Sequence, residues 1–288
     1  MMDRHMAKLN ESPLGRISPV HLALALVVLL GTALRTYRIA EPFGGFHAFN
    51  EAFYFQNALD YLNRGILSVI TAPSDFNNPP LYTLLLAISL KFFGAAEAQA
   101  RAVSVTASAL TIVYAYKLGK TLYNEKIGLL ASVVFAFLPG AALIGRNVQL
   151  ESLLLLFITS SAYYYVLSLR KNKPLLMGIA GALLGMGVLT KLPAILSLPA
   201  ILLWESWRRK GLSWIRDRKT VAFIGAFAAF GLPWYAYQFA TNRANFIGAQ
   251  AHLASTFNLP DAYFIKNFFA IELFWMLSPP LFLSLVWS

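Results

Sequence analysis

The first apolar run of the chain reads SPVHLALALVVLLGTALRT, from Ser18 to Thr36, and it decides the fold class. A helix needs roughly 17 to 25 mostly apolar residues to cross a hydrocarbon core, and this run has that length. Similar runs predict seven further spans at 98–118, 127–144, 150–169, 174–190, 192–207, 220–239 and 267–287. The pattern therefore predicts an all-α polytopic membrane protein with about eight transmembrane helices.

The composition excludes an ordinary soluble domain. Hydrophobic residues make up 58% of the chain and charged residues only 13%, whereas a soluble domain carries about 25% charged residues. The net charge of +11 is divided among short basic clusters between apolar runs, which favours membrane orientation over nucleic-acid binding. Cysteine is absent, so disulfides and thiolate metal sites are excluded.

The run 79–93 is fifteen residues long, and the distribution of basic residues indicates whether it crosses the membrane. If it does not cross, fifteen of the twenty-four Lys and Arg residues share one side with the N-terminus. If it crosses, that majority falls on the opposite side, against the positive-inside rule. We therefore predict that both termini are cytoplasmic and that residues 37–97 form a long outer segment.

The outer segment has helical character of its own. From Glu51 to Leu62, apolar residues recur at helical spacing with polar residues on the other face. A turn-rich passage follows, and then the run 79–93 begins with Pro79, where a helix tolerates a missing N–H. These features predict two surface helices that cap the outer ends of the spans.

Polar residues collect at the predicted outer ends of the spans, and Glu51 in the stretch Phe46–Glu51 is the most notable. A carboxylate at the edge of hydrocarbon is costly and usually functional. With Glu51 come residues of both charge signs and two amides: Asn77, Asn78, Arg146, Glu151 and Lys191. A carboxylate can deprotonate an acceptor while Arg or Lys neutralises a leaving phosphate. The set predicts group transfer from a phosphate-linked donor.

Each of these residues also has a structural interpretation. Glu51 could stabilise the start of the surface helix, and Arg146 with Glu151 could form an interfacial ion pair. Lys191 could extend to the interface, and the glycines before it indicate close helix packing. His47 is typical of a surface residue rather than a metal ligand. Glycine-rich nucleotide motifs are absent, which favours a lipid-linked donor.

The order of these motifs resembles a known family. Asn50-Glu51 is followed by Pro-Pro-Leu-Tyr ending at Tyr82 and by Ala-Arg-Ala-Val-Ser at 100–104. Gly-Lys-Thr-Leu-Tyr at 119–123, Arg-Asn-Val-Gln-Leu-Glu at 146–151 and Gly-Val-Leu-Thr-Lys at 187–191 come next. Across residues 18–207 the set looks like the N-terminal module of GT-C fold, polyprenyl-phosphate-sugar-dependent glycosyltransferases, which include protein O-mannosyltransferases and the lipid A aminoarabinose transferase.

The resemblance implies inverting transfer of a sugar on the non-cytoplasmic face, from a polyprenyl-phosphate carrier to a protein or glycolipid acceptor. It implies Glu51 and Glu151 as catalytic carboxylates and Arg146, Lys191 and Asn78 as phosphate-binding residues. Asn50, His47, Asn77 and Tyr82 are expected to bind substrate. Asn50 replaces the Asp that relatives usually carry, and Asn78 replaces a common His or Lys. A Mg²⁺ or Mn²⁺ ion could bridge the carboxylates and the phosphate, although no residue pattern requires one.

Two other classes stay open at this point. A lipid or polyprenyl-phosphate flippase would move lipid without releasing sugar, and an inactive scaffold would bind no polyprenyl phosphate. The expected organisation is a cytoplasmic segment 1–17, the module 18–207 and additional helices in 208–288. Relatives are commonly longer, so the chain is expected to be truncated relative to them.

Overall fold

The computed structural model describes residues 18–44, 48–71, 73, 78–208, 210 and 213–256, and every regular element in these ranges is helical. We number the α-helices in chain order: α1 (Pro19–Thr36), α2 (Ala48–Arg64), α3 (Ser68–Thr71), α4 (Pro80–Phe93), α5 (Glu97–Leu122), α6 (Glu125–Phe137), α7 (Pro139–Arg146), α8 (Leu150–Lys171), α9 (Pro174–Thr190), α10 (Ser197–Arg208), α11 (Arg218–Gly231), α12 (Pro233–Thr241) and α13 (Arg243–Thr256). Two 3-10 turns, Leu192–Leu196 and Ser213–Arg216, flank α10. The predicted all-α class is confirmed.

Among the described residues, α1, α5 and α8 are each long and apolar enough to cross a membrane. Two bent pairs, α6 with α7 and α11 with α12, raise that number to as many as five. The spans predicted at 127–144 and 220–239 correspond to these two pairs, and the pairs bend by 62° and 44°. The predicted span 267–287 lies outside the described residues.

Prolines explain where several helices begin and why two predicted spans bend. Five of the α-helices have a proline as their first residue, at Pro19, Pro80, Pro139, Pro174 and Pro233. That position suits proline because its missing N–H has no helical partner there and its φ is already helical. At Pro139 and Pro233 the missing N–H interrupts the hydrogen-bond ladder between consecutive helices.

A buried arginine stabilises the bend between α6 and α7. The Arg35 side chain is fully buried and donates hydrogen bonds to the carbonyl oxygens of Phe135 at 3.3 Å and Ala136 at 2.9 Å. In a continuous helix the Phe135 carbonyl would accept from the N–H of residue 139, which a proline lacks. Arg35 thus supplies donors to carbonyls that the bend leaves without a helical partner.

Helix α5 lies at the centre of the described structure, in contact with α1, α4, α6, α7 and α8, while α9 packs against α8 and α11. The backbones of α9 and α11 are in close contact at two glycines. A Cβ atom at Gly181 would lie 2.1 Å from the carbonyl oxygen of Phe223, and one at Gly185 would lie 2.8 Å from that of Phe227. The prediction that these glycines serve helix packing is confirmed.

The two helices predicted for the outer segment correspond to α2 and α4. Helix α4 is more deeply packed than a surface helix, because it contacts α2, α5 and α9 and buries Tyr82, Leu86 and Leu90. These side chains belong to an apolar core shared with α2, α5 and α8. The cap is therefore fixed to the ends of α5 and α8, where the predicted site residues lie.

Candidate active site

Glu51 lies in the first turn of α2 and forms a buried ion pair with Arg101 of α5. Arg101 Nε donates to Glu51 Oε1 at 2.9 Å, and Arg101 Nη2 donates to Glu51 Oε2 at 3.0 Å. The Glu51 side chain is 1% exposed and that of Arg101 is 6% exposed. A two-point guanidinium–carboxylate contact of this kind is strong and directional.

Arg101 also holds the chain that links α1 to α2. Its Nη1 atom donates to the carbonyl oxygens of Ile39 at 2.9 Å and Glu41 at 2.6 Å. Its guanidinium lies over the ring of Phe43, 5.1 Å from the ring centroid. Because these contacts satisfy the guanidinium on the side away from Glu51, Arg101 fixes both the entry to α2 and the first turn of α2.

The Glu51 carboxylate reaches a third element, the link between α7 and α8. The backbone N–H of Val148 donates to Glu51 Oε1 at 2.9 Å. A carboxylate offers about four acceptor positions, and three of them are occupied by Arg101 and Val148. Glu51 is therefore an organising residue that joins α2, α5 and the α7–α8 link.

Arg146 lies at the end of α7, close to this ion pair. Its side chain is within electrostatic range of Arg101, Glu51, Arg38 and Glu41, and the residue is only 6% exposed. Together these five side chains carry three positive and two negative charges. Arg38 and Glu41 pair with each other in a half-exposed position, whereas Arg101 and Arg146 are buried. Buried guanidinium groups are suited to an anion such as phosphate.

A second ion pair, between Glu151 and Lys191, is more accessible. Lys191 Nζ lies 2.5 Å from Glu151 Oε1, and the two side chains are 37% and 32% exposed. Glu151 occupies the first turn of α8, and Lys191 follows the last residue of α9. The second carboxylate oxygen, Glu151 Oε2, is buried without a hydrogen-bond partner among the described residues.

Tyr82 of α4 and Ser104 of α5 form a buried hydroxyl pair in the same region. The Tyr82 hydroxyl and Ser104 Oγ are 2.8 Å apart, and Ser104 Oγ accepts from the backbone N–H of Gln149 at 3.3 Å. Tyr82 is in electrostatic range of both Glu51 and Glu151, and burial raises the pKa of its hydroxyl. Tyr82 therefore stays protonated and can donate one hydrogen bond.

The remaining predicted residues have different positions. Asn50 is exposed in the first turn of α2, although its neighbour Glu51 is buried. Asn78 is half-buried just before α4 and makes contacts of its own. His47 and Asn77 lie outside the described residues.

Arg101 is a site residue that the sequence pattern did not reveal. Ala-Arg-Ala-Val-Ser was recognised only as the opening of a span, although a charge inside an apolar helix needs a buried partner. That rule could have indicated Arg101. It could not have selected Glu51 as the partner, since the two residues are 50 positions apart in the chain.

The carboxylates do not form a multidentate metal site within the part of the chain that the structure describes. No group of three or more His, Asp or Glu side chains converges there. Glu51 is occupied by Arg101 and Glu151 by Lys191. In this arrangement both carboxylates are bound by cationic side chains and are not presented to a metal ion.

The architecture matches two solved structures of ArnT from Cupriavidus metallidurans. The structure bound to undecaprenyl phosphate has a TM-score of 0.63 and 16% sequence identity, covering 91% of this chain and 45% of that chain. The apo structure has a TM-score of 0.59 and 16% identity, covering 77% and 42%. The protein therefore has the GT-C fold and is an integral, multi-pass membrane protein.

Sequence comparison identifies the family. Residues 77–237, more than half of the chain, match the family model of dolichyl-phosphate-mannose-protein mannosyltransferases. The chain belongs to this family.

Two curated relatives agree with this assignment in sequence. An undecaprenyl phosphate-α-4-amino-4-deoxy-L-arabinose arabinosyl transferase from Pseudomonas savastanoi is 26% identical over 220 residues, which are 72% of this chain and 40% of that protein. An uncharacterized protein from Aquifex aeolicus is 26% identical over 206 residues, 69% of this chain and 40% of that protein. The chain spans about two-fifths of the length of these relatives.

Proposed function

We propose that this protein is a glycosyltransferase that moves a sugar from a polyprenyl-phosphate carrier to a protein or glycolipid acceptor. The family match and the GT-C fold support this class. The observation that carries the proposal is the buried pair of Glu51 and Arg101 with the buried Arg146 near it, which brings a carboxylate and two guanidinium groups together. A carboxylate can serve as the base for an acceptor, and guanidinium groups can bind the phosphodiester of the donor.

The phosphate is bound by cations from two sides. Arg146 and Lys191, with Asn78, are the phosphate-binding residues expected from the sequence. We add Arg101, because a guanidinium offers a phosphate the same two-point contact that it offers a carboxylate. Arg101 can therefore exchange Glu51 for the phosphate without losing its hydrogen bonds.

This exchange connects donor binding to catalysis. Arg101 and Val148 occupy three of the acceptor positions of the Glu51 carboxylate, so Arg101 needs to leave before Glu51 can take a proton from an acceptor. We propose that the donor phosphate draws Arg101 away and frees Glu51. Glu51 then takes the proton of the acceptor hydroxyl or amine as that atom attacks the anomeric carbon, and the C–O bond to the phosphate breaks with inversion.

Reconstitution tests the function directly. The purified protein is placed in vesicles containing undecaprenyl-phosphate-linked mannose or 4-amino-4-deoxy-arabinose, together with short peptides or lipid A as acceptors. Formation of glycosylated acceptor together with free undecaprenyl phosphate is the expected result. Movement of the lipid between leaflets with no sugar released would instead identify a flippase.

The face of the membrane is tested by cysteine labelling, because the chain has no cysteine of its own. We propose that the Glu51 cluster faces away from the cytosol. Asn50→Cys is expected to react with an impermeant maleimide in intact cells, and Lys126→Cys only after lysis, since both positions are exposed. The reverse pattern would contradict the orientation.

A further inference from the structure

Gln149 carries a buried amide that the mechanism above does not use. It is the residue that precedes α8, with extended backbone dihedrals of −138° and 130°, and it is 4% exposed. Its Nε2 atom has no hydrogen-bond partner among the described residues. A buried donor that stays unpaired lowers the stability of the fold by about 1–3 kcal/mol. A bound ligand that accepts its hydrogen bond would remove this cost.

The surroundings of Gln149 indicate a ligand. Its backbone N–H and carbonyl contact Ser104 Oγ at 3.3 and 3.4 Å, and Ser104 binds the hydroxyl of Tyr82. The preceding residue, Val148, donates its N–H to Glu51. The backbone of Gln149 is therefore fixed beside Ser104 and directly after the residue that binds Glu51.

A complementary acceptor lies two residues further along. Glu151 Oε2 is buried and, like Gln149 Nε2, has no hydrogen-bond partner within the described ranges. Its other oxygen is held by Lys191 in a half-exposed pair. The beginning of α8 thus offers one unused donor and one unused acceptor, which is the pair that a hydroxyl group needs, because a hydroxyl both accepts and donates.

We infer that Gln149 and Glu151 form a subsite for a hydroxyl group of the sugar carried by the lipid phosphate. This inference rests on the proposed function. Lys191 moves from Glu151 to the donor phosphate, and the opened carboxylate then accepts from a sugar hydroxyl that in turn accepts from Gln149 Nε2. Gln149 is in this way a residue that selects the sugar rather than the lipid.

The test compares affinities for two probes, undecaprenyl phosphate alone and undecaprenyl phosphate carrying mannose. The wild-type protein is expected to bind the sugar-linked probe more tightly. Gln149→Leu is expected to reduce that preference about tenfold, the effect of about one lost hydrogen bond, with the affinity for undecaprenyl phosphate unchanged. Glu151→Gln is expected to reduce the same preference, and the double variant to add little, because the two residues bind one group.

Thermal unfolding separates this role from a structural one. Replacing an unpaired buried amide by an apolar side chain of similar size is expected to leave the melting temperature unchanged or to raise it. Gln149→Met provides a second variant of similar length that also lacks a donor. The matched control is Gln99→Leu, which removes another buried and unpaired amide atom outside this cluster and is expected to leave the sugar preference unchanged.

Three results would overturn the inference. The first is a wild-type protein that does not prefer the sugar-linked probe, and the second is a Gln149→Leu variant that keeps the preference. The third is an equal loss of affinity for both probes, which would assign Gln149 to the phosphate or to folding. These affinities are measured without an acceptor. A failure to transfer sugar in the reconstitution experiment would therefore count against the proposed function and would not affect the outcome of this binding test.

Discussion

Glu51 and Arg101 are 50 positions apart in the chain, yet the guanidinium of Arg101 contacts both carboxylate oxygens of Glu51 at 2.9 and 3.0 Å in the protein interior. The same two side chains hold the chain before α2 and the link between α7 and α8. One ion pair thus joins the cap to the spans beneath it. It also means that any chemistry at Glu51 begins with a change in its partner.

Arg101→Gln should destabilise the fold because it leaves the Glu51 carboxylate buried without its cation. Breaking a buried ion pair from one side costs about 3–5 kcal/mol. We expect a clear drop in melting temperature in detergent and a partial recovery in Arg101→Gln/Glu51→Gln, where neither charge remains. Equal melting temperatures for wild type and Arg101→Gln would contradict the role of this pair.

Glu51→Gln and Arg101→Gln should differ in kinetics if Glu51 is the base. Loss of a general base lowers the rate of the chemical step by about 10²- to 10⁴-fold. Glu51→Gln is therefore expected to lower kcat. Arg101→Gln is expected mainly to raise the KM for the donor. Rates are compared per folded protein, with Asp60→Asn in the exposed pair with Arg64 as the control. A kcat that survives Glu51→Gln would remove Glu51 from the chemistry.

Lys191→Met should weaken binding of undecaprenyl phosphate about tenfold, which is the effect of losing one charge-assisted contact to the phosphate. Its effect on folding should be small, because half-exposed pairs contribute at most about 1 kcal/mol. The chain offers a close control in Lys120→Met, since Lys120 and Glu125 form a pair of similar length and exposure elsewhere. Equal lipid affinities for the two variants would exclude Lys191 from the phosphate site.

Arg35→Leu tests the bend between α6 and α7. The substitution leaves the carbonyls of Phe135 and Ala136 without the donors that Arg35 provides, at about 1–3 kcal/mol for each buried group left unpaired. Thermal unfolding should show a loss well beyond that of Arg64→Leu, which removes an exposed arginine. Similar losses in both variants would show that the bend does not depend on Arg35.

Gly181→Ala tests the contact between α9 and α11. An added methyl group would lie 2.1 Å from the carbonyl oxygen of Phe223, so the helices must separate, at about 1–3 kcal/mol for overpacking. Gly225→Ala is the matched control on α11, where the methyl group would meet nothing within 4 Å. There the gain in helix propensity should leave stability unchanged or raise it by up to about 1 kcal/mol.

Local sequence pattern predicted the helices well and their continuity poorly. The apolar run that ends at Thr36 and the helix that begins near Glu51 were both confirmed, because their periodicity is a property of neighbouring residues. The spans 127–144 and 220–239 were predicted without their bends of 62° and 44°, since mean hydropathy does not register a single proline. Pro139 interrupts the helical hydrogen bonds of its span. Arg35, about a hundred positions earlier, stabilises the resulting bend by donating hydrogen bonds to carbonyl oxygens there.

The candidate site shows the same division. Glu51, Arg146, Glu151 and Lys191 could be named from the sequence because charges next to apolar runs are conspicuous, and the structure brings them to one end of the helices. The sequence could not reveal that Glu51 pairs with Arg101 while Glu151 pairs with Lys191. Pairing depends on which helices become neighbours, and the charges themselves do not encode it.

The amino-acid sequence alone determined that this chain inserts in a membrane as helices and that most of its charges lie between the apolar runs, because hydrophobicity and periodicity act locally. The tertiary structure decided that Glu51 forms a buried ion pair with a guanidinium, whereas one oxygen of Glu151 has no hydrogen-bond partner among the described residues. Those outcomes follow from the packing of α2 and α4 onto α5 and α8, since burial and hydrogen bonding depend on residues that are distant in the chain.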